Sequence, residues 1–166
     1  MITLVLGGTR SGKSELAERI AESWRQPVTY VATGQVTDDD MAARIAGHRA
    51  RRPAGWSTVE AGADLPAVLA SVDGPALVDS LGTWVAACPD LVPDTPALCA
   101  VLADRRSSRD TVIVSEEVGL GVHPMTEAGR RFADALGTLN QAVADTADHV
   151  LLAVAGRALP LTAWAP

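Results

Sequence analysis

The 166-residue sequence is poor in lysine, cysteine and aromatic residues, and its charge balance is acidic. Its formal net charge of −6 repels polyanions, which argues against nucleic acid as a partner. The two cysteines, Cys88 and Cys99, form no CxxC pair and have no histidine at ligand spacing, so a structural zinc site is disfavoured. Any phosphate ligand must therefore be held by a local group of residues that overcomes the acidic background.

Long apolar runs are also missing. The first run, residues 2–6, is too short for a signal-peptide core, and no run reaches membrane-spanning length, so we expect a cytoplasmic protein with no membrane span. With 48% hydrophobic but only 4% aromatic residues, the core must consist mainly of Ala, Val and Leu, which suits packed layers of helices and strands. The length fits one compact domain, to which we assign residues 1–166.

Short apolar runs alternate with helical periodicities along the chain. Strands are predicted at residues 2–6, 28–32, 56–59, 76–78, 111–114 and 150–154, and helices at 14–25, 40–51, 65–72 and 126–145. An irregular connection is predicted at 86–96, which is rich in Pro and Asp, and a loosely held terminus at 158–166. The alternation predicts an α/β fold with a mostly parallel sheet covered by helices on both faces.

A phosphate-loop motif lies between the first predicted strand and helix. The run Gly7-Gly8-Thr9-Arg10-Ser11-Gly12-Lys13-Ser14 satisfies the pattern G-x-x-x-x-G-K-[ST]. Its glycines let backbone N–H groups approach phosphate oxygens at the positive end of the following helix. Lys13, the only lysine of the chain, would reach the β and γ phosphates, and the Ser14 hydroxyl would bind Mg²⁺. We therefore predict a P-loop NTPase-like, RecA-like domain that binds ATP or GTP with Mg²⁺.

A carboxylate for the metal is expected at the end of a neighbouring strand. Asp79 directly follows the predicted strand 76–78 and fits that position, although an ordinary turn aspartate would look the same. Glu116 and Glu117 follow another predicted strand, where either could act as a second metal contact or as a general base.

A second basic cluster lies on the predicted helix 40–51. Arg44, His48, Arg51 and Arg52 recur at three- and four-residue spacings, which places them near one helix face. A neutral histidine there could attack a nucleotide α-phosphate while the arginines neutralise the triphosphate. The same spacing also fits an exposed histidine on a solvated basic helix.

Taken together, the motifs resemble the bifunctional adenosylcobinamide kinase and adenosylcobinamide-phosphate guanylyltransferase family of cobalamin biosynthesis. The resemblance covers most of the chain and is far more specific than a phosphate loop alone. The matching positions are residues 7–14, 30–34, 39–45, 48–49, 52–53, 117–119 and 147–148, with Trp56, Thr58, Glu60, Gly121, Pro124, Phe132, Asp134, Gly137, Asn140 and Gln141. The chain departs from the family in having Glu116 where Asn is usual, Ala133 where Arg is usual, and a short segment at 82–109.

The resemblance implies two reactions. Adenosylcobinamide is phosphorylated with ATP or GTP, and GMP is then transferred from GTP to adenosylcobinamide phosphate through a guanylylated histidine, which His48 matches. Lys13 and His48 would be catalytic, with Ser14 and Asp79 at the metal. The implied nucleotide-binding residues are Gly7, Gly8, Thr9, Arg10, Ser11, Gly12, Lys13, Ser14, Ala32, Thr33, Gly34, Arg49, Ala50, Arg51, Arg52, Glu60 and Asp79. The resemblance also suggests a homo-oligomer, with a trimer as one candidate, whereas we interpret His123 and His149 as structural.

Three other classes of P-loop protein share the phosphate-loop motif. A GTP-dependent switch is disfavoured because no N-K-x-D segment is present, and Asn140-Gln141 lies inside a predicted helix. A monofunctional kinase for another metabolite would need Lys13 and Asp79 but not His48. A nonenzymatic ATP-binding interaction module would display an exposed apolar patch.

Overall fold

The structure, a computed structural model, describes residues 1–34, 47 and 52–163. In chain order its elements are β1 (Ile2–Gly7), α1 (Lys13–Ser23), β2 (Thr29–Ala32), β3 (Ser57–Glu60), α2 (Leu65–Ala70), β4 (Ala76–Asp79), α3 (Leu81–Ala87), a 3₁₀ turn (Pro89–Leu91), α4 (Thr95–Arg105), β5 (Thr111–Glu116), α5 (Glu127–Thr146), β6 (His149–Val154) and β7 (Arg157–Leu161). The predicted helix 40–51 lies, apart from Gly47, outside the described residues, and with it Arg44, His48, Arg49, Ala50 and Arg51.

Seven strands form one sheet in the order β3-β2-β4-β5-β1-β6-β7. Every neighbouring pair is parallel except β6 and β7, which form an antiparallel hairpin. The six parallel strands therefore end at the same edge of the sheet, where an open α/β fold places its ligand. The predicted mostly parallel sheet is confirmed.

Helices cover both faces of this sheet, as predicted. Side chains alternate between faces along each strand, so Leu4 and Leu6 belong to one apolar cluster and Val5 to the other. The Leu4 cluster is closed by α2, α3, α4 and α5, and the Val5 cluster is closed by α1. Within the described residues no helix combines the length and apolar character needed to cross a membrane.

Helix α1 is placed as predicted, but its buried face is not the expected one. The apolar residues Leu16, Ile20 and Trp24 recur every four residues, and this spacing predicts that they form the buried stripe of the helix. In the structure Ala17 and Ala21 are fully buried, and the three larger side chains pack partly exposed around them. Small residues let the helix axis approach the sheet closely, so the large side chains lie at the margin of the contact.

Two helices and one strand were absent from the predictions. Helix α4 is capped at its amino end by Asp94, whose carboxylate accepts a hydrogen bond from the amide of Ala97 (3.0 Å), and Pro96 lies in its first turn. Helix α3 has only seven residues, too few for a periodicity to appear. The prediction that 158–166 is loosely held is wrong for its first part, because residues up to Leu161 form β7. This edge strand is exposed along its length and contains Pro160, so it lacks the alternating pattern that identifies a strand.

A buried arginine joins elements at the amino-terminal edge of the sheet. The Arg105 side chain is fully buried, and its guanidinium donates to the Thr111 hydroxyl (2.9 Å) and to the carbonyls of Leu69 (3.1 Å) and Gly74 (2.8 Å). It also donates to the carbonyl of Val72. Burial lowers the pKa of Arg105 to about 10, so the side chain stays charged at neutral pH. One cation thus ties α2 and the start of β4 to α4 and β5.

Candidate active site

The phosphate loop connects the buried strand β1 to the first turn of α1. Gly12 has φ 92° and Arg10 has φ 57°, so the chain turns sharply in the left-handed region before Lys13 begins the helix. The amide of Leu16 donates to the carbonyl of Gly12 (2.9 Å), which starts the helical ladder. The amino end of α1, with its free N–H groups and positive dipole end, therefore lies at the sheet edge where the parallel strands stop.

Neighbouring backbone fixes the shape of this loop. A Cβ at Gly7 would lie 2.4 Å from the Ser11 hydroxyl oxygen, and one at Gly12 would lie 3.1 Å from the Cα of Gly156. Gly156, in the turn between β6 and β7, also donates its amide to the carbonyl of Ser11 (2.9 Å). The Ser11 hydroxyl is buried and has no hydrogen-bond partner within the described residues. A crowded glycine cradle with an unsatisfied hydroxyl fits an oxygen-rich ligand such as a phosphate group.

Lys13 lies over the loop that precedes it. Its Nζ donates to the carbonyl of Gly8 (3.3 Å) and lies 3.7 Å from Oε1 of Glu116. Only 13% of the Lys13 side chain is exposed, so the ammonium group is held close to the loop. The single lysine of the chain is thus placed where phosphates bound by the loop amides would lie.

The predicted metal carboxylate ends β4, two strands away from β1 in the sheet. Oδ2 of Asp79 accepts a hydrogen bond from the Tyr30 hydroxyl (2.9 Å). Burial and the Asp79 charge raise the pKa of Tyr30, so its hydroxyl remains a neutral donor. The guanidinium of Arg52 stacks 3.2 Å from the centroid of the Tyr30 ring. Sequence reasoning missed Tyr30 as the partner that orients Asp79.

A cluster of hydroxyl groups lies beside Asp79 at the start of α3. Oγ1 of Thr33 donates to the Ser80 carbonyl (2.6 Å), accepts from the Ser80 amide (2.8 Å) and lies 2.6 Å from the Thr83 hydroxyl. The Thr33 side chain is buried and engaged in these bonds. The Thr33 hydroxyl is therefore already hydrogen-bonded within the protein. Thr33 remains a predicted nucleotide contact because it lies beside Asp79.

The remaining described candidates are spread along the same sheet edge. In the strand register Ala32 is level with Asp79 on one side and with Glu60 on the other. Glu60 lies four strand spacings from Gly7, roughly 19 Å. The predicted residues thus form one line along the edge, with the phosphate loop near one end and Glu60 and Arg52 near the other.

The donors present suit magnesium carried by a nucleotide. Mg²⁺ prefers hard oxygen ligands and is usually held by one or two protein groups together with substrate phosphates and water. The hydroxyl of Ser14, in the first turn of α1, and the carboxylate of Asp79, at the end of β4, are such groups. No set of three or more His, Cys, Asp or Glu side chains arranged for a metal occurs in the described part of the chain. The residues therefore match a site shared with phosphates and not a self-sufficient metal cage.

A family model described as cobinamide kinase / cobinamide phosphate guanyltransferase matches residues 3–161 of the chain. The chain belongs to this family. Its sequence is 43% identical to the bifunctional adenosylcobalamin biosynthesis protein CobP of Pseudomonas aeruginosa, over 97% of each chain. It is 35% identical to the protein CobU of Salmonella typhimurium, over 94% of this chain and 97% of the relative. The expected family membership, with its kinase and guanyltransferase activities, is confirmed.

The fold is shared more widely than the family. The flagellar accessory protein FlaH of Methanocaldococcus jannaschii superposes with a TM-score of 0.55 at 16% sequence identity, covering 91% of this chain and 70% of its own. A likeness at this identity concerns the arrangement of sheet and helices alone. It agrees with the predicted α/β fold, a mostly parallel sheet covered by helices on both faces.

Proposed function

We propose that this chain is a single catalytic domain that performs both family reactions with the residues assembled along the carboxyl edge of its sheet. In the first reaction, the hydroxyl oxygen of adenosylcobinamide forms a bond to the γ-phosphorus of ATP or GTP. The bond from that phosphorus to the β-phosphate oxygen breaks, the nucleoside diphosphate leaves, and the hydroxyl proton passes to solvent. The placement of Lys13, the loop amides and Asp79 at one sheet edge carries this proposal.

In that step the protein acts mainly through position and charge. Loop amides and the Lys13 ammonium group hold the β and γ phosphates, and Lys13 stabilises charge that develops on the leaving oxygen. Ser14 and Asp79 would hold magnesium, which neutralises phosphate charge when it is bound. Tyr30 keeps Asp79 in place through the hydroxyl bond described above. The product of this first reaction, adenosylcobinamide phosphate, is the acceptor of GMP in the second reaction.

In the second reaction we propose His48 as the nucleophile. Its imidazole nitrogen would attack the α-phosphorus of GTP, forming an N–P bond as pyrophosphate leaves. An oxygen of adenosylcobinamide phosphate would then attack the same phosphorus, forming the diphosphate linkage and freeing the histidine. Arg49, Ala50, Arg51, Arg52 and Glu60 are proposed nucleotide contacts for this step. The predicted homo-oligomer and cytoplasmic location stay predictions.

Intact-mass measurement after incubation with GTP and Mg²⁺ tests the second reaction. We expect a protein species heavier by one GMP group, lost in acid because a phosphoramidate bond is acid-labile. His48→Ala should abolish the adduct, whereas His123→Ala, which changes an exposed histidine in the loop before α5, should retain it. An adduct on the His48→Ala protein would refute the covalent role.

Phosphate transfer from ATP to adenosylcobinamide tests the first reaction separately. Lys13→Ala should lower this rate by about 10²–10³-fold, as is typical when a group that stabilises transition-state charge is removed. It should leave the guanylyl adduct measurable if the two reactions use different parts of the edge. A Lys13→Ala protein with unchanged kinase rate would remove the basis for placing the phosphates at this loop.

A further inference from the structure

Glu116 ends β5 between the phosphate loop and the start of α3, and its two carboxylate oxygens face different partners. Oε1 lies 3.7 Å from Nζ of Lys13. Oε2 accepts hydrogen bonds from the Ser80 hydroxyl (3.0 Å) and from the Gly82 amide (3.0 Å). Strand register sets Glu116 level with Gly7, so it lies beside the first residue of the loop.

The bonds to α3 fix this carboxylate independently of Lys13. A Cβ at Gly82 would lie 2.1 Å from Oε2 of Glu116, so the close approach requires glycine at that position. Ser80 and Gly82 also belong to the amino end of α3, whose free amides favour a negative charge. The Glu116 carboxylate is therefore a fixed negative charge and not a mobile surface side chain.

Lys13 is held much less firmly by Glu116. A separation of 3.7 Å is an ion pair that is longer than a hydrogen bond, so the ammonium group can turn towards another anion without breaking a hydrogen bond to Glu116. The hydrogen bonds of Oε2 to α3 would persist when it does. The pair is asymmetric, with an anchored anion and a cation free to exchange partners.

We propose that Glu116 is a positioning residue. It forms an ion pair with Lys13 in the nucleotide-free site and competes with the terminal phosphate of the nucleotide for the Lys13 ammonium group. When a triphosphate binds, the Lys13 ammonium group moves from Glu116 to the phosphate. The anchored carboxylate of Glu116 remains nearby, and its negative charge repels the negative charge of the phosphate. Glu116 thereby weakens nucleotide binding and favours release of the diphosphate product. This inference rests on the proposed nucleotide site at the phosphate loop.

The variant Glu116→Gln separates this role from a structural one. Glutamine has the same shape, and its amide oxygen can accept from Ser80 and Gly82, while the negative charge opposite Lys13 is removed. We expect the dissociation constant for ATP, measured by calorimetry in EDTA, to fall about tenfold, as is reasonable for one part-exposed charge near the phosphates. Structural damage would weaken binding instead, so the direction of the change is diagnostic.

Two controls define the result. Glu22→Gln removes the same charge from an exposed position near the end of α1 and should leave ATP affinity within twofold of the wild type. AMP, which lacks the β and γ phosphates, should gain less than threefold from Glu116→Gln. If that variant fails to fold, as judged by circular dichroism, Glu116→Asn provides a second neutral side chain with an acceptor oxygen.

Other outcomes overturn the inference. Unchanged or weaker ATP binding by the folded variant in EDTA would show that Glu116 does not compete for Lys13. Weakening that occurs only with Mg²⁺ present would instead assign Glu116 to the metal. If the wild-type protein binds no ATP, the proposed nucleotide site itself fails, and that failure is distinguishable because it precedes any comparison of variants.

Discussion

Replacing Tyr30 by phenylalanine tests whether Asp79 is oriented for a nucleotide-borne metal. The Tyr30 ring is 4% exposed and carries the stacked Arg52 guanidinium, and phenylalanine preserves both the packing and the stacking surface. Only the hydroxyl bond to Oδ2 of Asp79 is lost. The change therefore isolates one hydrogen bond to the proposed metal carboxylate.

The expected size follows from the kind of bond removed. A hydrogen bond to a charged acceptor contributes about 1.5–3 kcal/mol, and loss of a group that orients a metal ligand lowers metal affinity or activity about 10–100-fold. Because Asp79 is only partly buried, water can replace the lost donor, and we expect values near the lower ends. The free energy of unfolding should fall by about 1–2 kcal/mol, and the magnesium concentration for half-maximal kinase activity should rise about tenfold.

The assay is a magnesium titration of phosphate transfer from ATP to adenosylcobinamide. Saturating magnesium should restore most of the rate of Tyr30→Phe, whereas Asp79→Asn should remain impaired. Ser57→Ala removes an exposed hydroxyl on β3 that donates to Thr29 of β2 (3.1 Å) and should leave the magnesium requirement unchanged. A magnesium requirement of Tyr30→Phe equal to that of the wild type would refute the assigned role of this hydroxyl.

Two further predictions concern stability. Arg105→Met should lower the free energy of unfolding by about 4 kcal/mol in urea titration, because buried carbonyls each lose a partner at roughly 1–3 kcal/mol; a loss below about 1 kcal/mol would contradict this. Asp148→Asn should cost about 1 kcal/mol at pH 7, because the Ile2 amide (2.7 Å), followed by Arg106, lowers the pKa of Asp148. This stabilisation is complete above the ordinary aspartate pKa of 3.8 and is lost as pH falls through the lower folded value, so wild type and variant should converge in strong acid.

The strands that carry the site could be predicted from the sequence because each is a short apolar run. β1 and β4 are buried on both faces, and such strands show continuous hydrophobicity that ends where polar residues begin. The phosphate loop starts at Gly7, the last residue of β1, and Asp79 is the last residue of β4. The location of the phosphate loop and Asp79 at the sheet edge could therefore be predicted from the local sequence pattern alone.

The contacts between the side chains of the site could not be predicted from the sequence. Tyr30 and Asp79 are 49 residues apart in the chain and meet only because β2 pairs with β4. This pairing is not evident from chain order, in which β3 lies between β2 and β4. Helix α3 is short, and its glycine at position 82 weakens helical propensity while making room for Glu116. A residue chosen for close approach of another side chain gives a misleading local signal, which is why that helix was missed.

The turn between β6 and β7 has a consequence for how the protein is made. Gly156 contacts the backbone of Ser11 and Gly12, so the loop is supported by a segment nearly the whole chain away. During synthesis the amino-terminal loop leaves the ribosome long before that hairpin exists. A nascent chain can contain the complete phosphate-loop motif and still lack the turn between β6 and β7 that supports it. Firm triphosphate binding would therefore indicate that β6 and β7 have joined the sheet.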